Sequence, residues 1–151
     1  MLWQMLIGSL VTALTVVIQS FFIATAGRRV ELLEDWLQPP HLTIKITSVL
    51  AISMLWIVTG VSFNCSAWTY VYLYLGVFDH IEPALYFSMI SFTTLGFGDL
   101  ILNENYRLLS GFTAVSGLIS FGLTSAFVVD MLGQFRRLRE DHPLVKKKMF
   151  F

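Results

Sequence analysis

Charge is what this sequence has least of. Of its 151 residues only 13% are Asp, Glu, Lys or Arg, about half the share a soluble domain carries, while 56% are hydrophobic. So few charges cannot clothe a soluble core of this size, and from Met1 to Ala26 there is no ionisable side chain at all. A soluble globular class is excluded on that ground, and an integral membrane protein is expected. Cysteine is nearly absent too. Cys65 stands alone, so the chain cannot close a disulfide within itself, and no Cys/His group has zinc-ligand spacing. Also missing are paired carboxylates, a nucleophile with its base and a phosphate-binding glycine loop, which argues against an enzyme. Formal net charge is zero but unevenly spread, with Arg136, Arg137, Arg139 and Lys146, Lys147 and Lys148 crowded at the C-terminus.

What is present is a set of long apolar runs. Residues 1–26 would rise about 39 Å as a helix, enough for a hydrocarbon core of roughly 30 Å. A signal peptide is the competing reading, because Ala24-Thr25-Ala26 resembles a small-residue cleavage site. The stretch lacks a basic start, however, and Arg28-Arg29 follow at once. Residues 27–43 are polar and hold the Pro39-Pro40 pair, so a cytoplasmic connection is expected there, with one amphipathic turn around Leu32, Leu33 and Trp36. A second helix is expected over about 44–75. Toward its end Trp68, Tyr70, Tyr72 and Tyr74 suit an aromatic belt at the membrane interface; Trp68 and Tyr72, four apart on one face, equally suit core packing.

Residues 82–93 read as a short helix, Glu82 to Phe92 rising only about 16 Å, which cannot span. Pro83 suits its first turn, and Asp79 and Glu82 suit its positive end. A third long helix follows over about 107–135, then a basic tail at 138–151. Irregular backbone at membrane depth is tolerated only where it is buried in protein or lines an aqueous path, so this order predicts a pore or site at 93–99. The positive-inside rule puts Arg28, Arg29, Lys45 and the C-terminal cluster in the cytoplasm. The short helix and the N-terminus then lie outside.

The string Thr93-Thr94-Leu95-Gly96-Phe97-Gly98-Asp99 resembles the selectivity-filter signature of the potassium channel family, Thr-x-Gly-Tyr/Phe-Gly-Asp. A dehydrated ion needs its water oxygens replaced, and stacked backbone carbonyls supply them; Gly96 and Gly98 reach the positive φ that lets successive carbonyls turn to one axis. The resemblance implies an all-α membrane fold: a two-helix pore module over 44–137, with an outer helix, a pore helix, a filter at 94–98 and an inner helix, plus one extra N-terminal helix. It implies potassium ions held by the carbonyls of Thr94, Leu95, Gly96 and Phe97 and by the Thr94 hydroxyl, with Gly98 completing the filter and Thr93 and Asp99 supporting it. Leu95 and Phe97 would wedge the filter against the pore helix. One filter per chain cannot encircle an ion, so a homotetramer is expected. The pore helix would then aim its partly negative C-terminal end, near Phe92 and Thr93, at a central cavity.

The run Gly117 to Ala126 looks like the inner helix of bacterial potassium channels, which implies the plasma membrane of a bacterium. On that likeness Gly117 is a hinge candidate, and helical spacing gives Leu118, Phe121, Ser125 and Val129 as cavity lining. Close packing by small residues is the other reading of Gly117 and Gly122. Asp130, the only carboxylate in the third apolar run, is a candidate inner-mouth charge; pairing with Arg136 or Arg137, or simple exposure at the membrane boundary, is its alternative. The likeness departs from the family at Ile90, where several members carry a glutamate that supports the filter carboxylate, and at Phe97, which lacks the tyrosine hydroxyl. Asp99 must therefore find another partner. No segment carries the spaced arginines of a voltage sensor, and His80 reads as a solvated loop residue. Lys146, Lys147 and Lys148 suit anionic lipid headgroups or a topology anchor. No cofactor and no nucleic acid is expected; the partners expected are the permeant potassium ions, further copies of the chain and the bilayer. A weakly selective cation channel and a non-conducting membrane subunit are the competing functions.

Overall fold

The computed structural model describes residues 2–33 and 42–140, with side chains through Arg137. Four helices form: α1 (Leu2–Leu32), α2 (Leu42–Tyr74), α3 (Ile81–Phe92) and α4 (Arg107–Glu140). The first, second and fourth are long and apolar enough to cross a membrane. The third, with 12 residues and a rise of about 18 Å, is not. The chain is an all-helical membrane protein with three spans and one short helix between the second and the third.

The expected connection after Ala26 starts later than predicted. Gly27 and the two arginines stay helical, and α1 runs to Leu32. The cause is tertiary: Val30 is buried with Val49, Met131 and Phe135, so the last turns of α1 close a small apolar cluster with α2 and α4. Arg29 is held as well, its guanidinium 4.3 Å from the centre of the Trp56 ring. The predicted turn at Trp36, the Pro39-Pro40 pair and Lys146 to Lys148 lie outside the described residues.

The far end of α2 has a local cause. Gly76 takes φ 65°, Gly76 N–H donates to the Leu73 carbonyl, and Val77 N–H reaches back to the Tyr72 carbonyl at 2.9 Å. This pair of bonds is the glycine-terminated helix stop, which caps the last free carbonyls and turns the chain toward α3.

α1 packs along both α4 and α2, whereas α2 meets α4 at few points. The buried face of α1 is Gln4, Gly8, Val11, Thr15, Gln19, Phe22, Ala26 and Val30. The four-three-four spacing of these residues repeats every 11 residues, close to the helix's own period, so the stripe stays on one face along the whole helix. Glycines permit the closest approaches: a Cβ at Gly8 would overlap the Phe112 ring, and one at Gly60 would meet the Phe22 ring at 2.8 Å.

The main core lies between α2, α3 and α4. Trp68 and Tyr72 are fully buried there with Phe87, Ile90 and Leu109. Each polar tip is satisfied by α4: the Tyr72 hydroxyl lies 2.6 Å from Thr113 Oγ1, and the Trp68 indole N–H donates to Ser116 Oγ at 3.3 Å. These two rings therefore belong to the core. Tyr70 and Tyr74, 71% and 90% exposed, are the ones left to face the surroundings.

Candidate functional site

The short helix α3 ends at Phe92. Thr93 caps it with helical φ and ψ, and its hydroxyl donates to the Met89 carbonyl at 2.7 Å. Beyond the cap the backbone alternates. Thr94, Gly96 and Gly98 take φ of 61°, 51° and 78°, while Leu95 and Phe97 between them do not enter the left-handed region. Such alternation brings successive carbonyl oxygens toward one side of the strand. Glycine meets this demand freely, but Thr94 is β-branched, and its conformation costs about 1–3 kcal/mol. Two backbone bonds to α3 hold it: Thr94 N–H donates to the Ser91 carbonyl at 3.0 Å, and Gly96 N–H to the Ile90 carbonyl at 3.2 Å. Ile90, which offers no carboxylate, thus anchors the turn through its main chain.

Asp99 finds the partner that Ile90 does not supply. The Tyr86 hydroxyl donates to Asp99 Oδ2 at 2.7 Å, tying the outer end of the turn to the first half of α3. The adjoining carboxylate, mainly through this hydrogen bond, pushes the Tyr86 phenol above its ordinary range. Tyr86 is missing from the sequence reading. Its signal is its position one helical turn before Ile90, on the face of α3 that looks back at the turn.

Leu95 and Phe97, which the resemblance implies wedge the filter against the pore helix, are not covered within the single chain. They are 61% and 66% exposed. The apolar cover they lack within the chain has to come from outside it.

Under the turn lies a cavity of about 430 Å³ bounded by Thr93, Thr94, Gly117, Leu118 and Phe121, with Val61 of α2 on one side. Leu118 and Phe121 therefore share a wall with the threonines. Ser125 and Val129 lie further down the same face of α4 and do not border that cavity. Gly117 makes the closest contact of the region, since a Cβ there would overlap the Phe92 carbonyl oxygen. Gly122 has nothing within 4 Å of such a Cβ. The close-packing reading thus describes Gly117 and not Gly122.

Asp130 is exposed and lies on the side of α4 that borders α1. Its carboxylate accepts a bond from Gln134 Nε2 at 2.9 Å and borders a groove shared with α1, about 100° round the helix from Val129. Neither Arg136 nor Arg137 pairs with it among the described residues. His80 stands at the N-cap of α3 and makes no capping bond.

A second group absent from the sequence reading ties α1 to this site. Asn64 Nδ2 donates to Gln19 Oε1 at 3.1 Å, and Gln19 Nε2 donates to Thr124 Oγ1 at 3.2 Å, so one amide joins three helices near mid-membrane. Ser116 Oγ donates to Thr12 Oγ1 at 3.0 Å, and Gln4 Oε1 accepts Leu108 N–H at 3.3 Å, capping the start of α4. Buried amides in apolar helices are the available signal, because at membrane depth they require partners.

Comparison with known proteins agrees with this geometry. The family model described as ion channel matches residues 52–134, from within α2 to near the end of α4, which is more than half of the chain. Neither the curated proteins nor the solved structures give a match. With most of α2 and α4, and the whole of the half-length helix and the alternating turn, inside the matched region, the chain belongs to the ion channel family.

Proposed function

We propose that this chain is the pore-forming subunit of a homotetrameric, potassium-selective channel whose filter is Thr94 to Gly98. The observation that carries this reading is the alternation of left-handed residues at 94, 96 and 98 beyond the end of a half-length helix. That backbone offers a ladder of carbonyl oxygens and no charged ligand, which suits a monovalent cation shedding its water. One chain supplies one side of such a ladder. Closing it round an ion takes several copies on a common axis, four in the fold the signature resembles, and the exposure of Leu95 and Phe97 supports that assembly. The end of α3 adds its partial negative charge on the cavity side. The basic residues favour an arrangement with the filter and N-terminus outside a bacterial plasma membrane and the C-terminus in the cytoplasm.

The deciding measurement is ion flux through the purified protein in liposomes, followed by bi-ionic recordings. Reversal potentials should follow the potassium gradient and ignore sodium. Reversal potentials near zero in a sodium/potassium pair would leave a weakly selective cation channel, and no flux from a verified tetramer would leave a non-conducting subunit.

A further inference from the structure

We propose that the groove between the C-terminal halves of α1 and α4 binds the headgroup of an ethanolamine phospholipid. The groove encloses about 430 Å³ and has charges of both signs on its walls, Arg28 and Glu31 from α1 and Asp130 from α4, over an apolar floor that includes Phe127 and Met131. Although they share one cavity, these three charges make no ion pair with one another among the described residues. The space between them is sized for something that bridges them.

The two neighbouring arginines differ. Arg29 lies over the Trp56 ring, whereas Arg28 borders the groove and its guanidinium has no partner among the described residues. Asp130 spends one carboxylate oxygen on Gln134 and keeps the other available. The site lies about 20 Å along α4 from Gly117, at the end of the spans remote from the filter turn. Charged side chains on spanning helices sit at headgroup depth, so the groove opens where lipid headgroups are.

Charge complementarity selects the lipid. Arg28 suits a phosphate, and Asp130 with Glu31 suits a primary ammonium that can donate hydrogen bonds. An ethanolamine headgroup carries both on one short arm. A choline headgroup has no N–H to donate, and a glycerol headgroup brings a phosphate with no cation to balance two carboxylates. The apolar floor takes the start of an acyl chain. This inference rests on the membrane-embedded channel fold and not on which ion the pore selects.

The test is native mass spectrometry of the purified full-length protein, offered phosphatidylethanolamine, phosphatidylcholine and phosphatidylglycerol with identical acyl chains. The wild type should retain the ethanolamine lipid roughly tenfold over the choline lipid, the worth of one charge-assisted hydrogen bond. Asp130→Asn should reduce the preference, Asp130→Asn with Glu31→Gln should bring the two to parity, and Arg28→Gln should weaken all three lipids together. All three side chains are exposed, so none of these changes threatens folding. Equal retention of ethanolamine and choline lipids by the wild type overturns the proposal, as does a preference that survives Asp130→Asn combined with Glu31→Gln. A preference lost only on neutralising Lys146, Lys147 and Lys148 assigns the lipid to the tail and also overturns it. A disulfide between copies carrying Ala24→Cys would show the groove covered by a second chain, with the same consequence.

Discussion

Tyr86 and Gly117 carry the sharpest expectations at the scale of single residues. Removing one oxygen in Tyr86→Phe takes away the bond that holds Asp99 and leaves the ring in place. The filter end of each chain loses its tie to α3, and current should decay faster under sustained conduction, as read in planar-bilayer recordings. The same bond has a pH signature. The bonded phenol titrates above the ordinary tyrosine range, so its contribution is intact below about pH 10 and is lost as pH rises through the raised value. Wild-type flux should fall on strong alkalinisation of the filter side, and that step should be absent from Tyr86→Phe. At Gly117, a methyl group meets the Phe92 carbonyl, so Gly117→Ala should displace the end of α3 and cost about 1–3 kcal/mol. Gly122→Ala meets nothing and should stay within about 0.5 kcal/mol of wild type. Thermal unfolding in detergent, run on the pair, separates a packing glycine from a glycine in open space.

Among the elements, α1 is the one whose sequence says least about its role, and it packs along both α2 and α4. Its amides and hydroxyls meet α4 at three levels, through Gln4, Thr12 and Gln19. Replacing Gln19 with Leu strands the Asn64 amide among apolar neighbours and should lower stability by about 1 kcal/mol, the size typical of hydrogen bonds between membrane helices. Adding Asn64→Leu to Gln19→Leu removes the stranded group and should recover part of that loss in the same melting experiment. The element order and the turn at 94–98 were legible in the sequence because they rest on local signals: long uncharged runs, Pro83 at a helix start, and glycine where φ must be positive. The end of α1 was not, because Gly27-Arg28-Arg29 has the composition of a loop and stays helical only through Val30's contact with two other helices. The direction of Asp130 was hidden for a related reason. Helical spacing gives angles round one axis, but which angle faces α1 is set by tertiary packing, and nothing local in α4 specifies that. Asp99 and Tyr86 meet only once the turn between them has folded back on α3.

For the molecule as a whole, the apolar residues of the filter turn are the strongest argument for assembly. Leu95 and Phe97 stand exposed beside a strained backbone that its own chain braces with only two main-chain bonds. On the proposed fourfold assembly, replacing Phe97 with Ser should shift the purified protein from four copies toward fewer, as counted by native mass spectrometry, without changing the helical content of each chain. The contact at Gly117 has a mechanical consequence as well. With its backbone pressed against the end of α3, the upper part of α4 is clamped, whereas a Cβ at Gly122, five residues on, would meet nothing. From there to Glu140 the helix forms an arm about 27 Å long, so a swing of about 10° at Gly122 moves its tip by roughly 5 Å. That arm is not alone, because Met131 and Phe135 are locked to Val30 and Val49. Any displacement of the lower part of α4 would therefore carry with it the ends of α1 and α2 that pack against it.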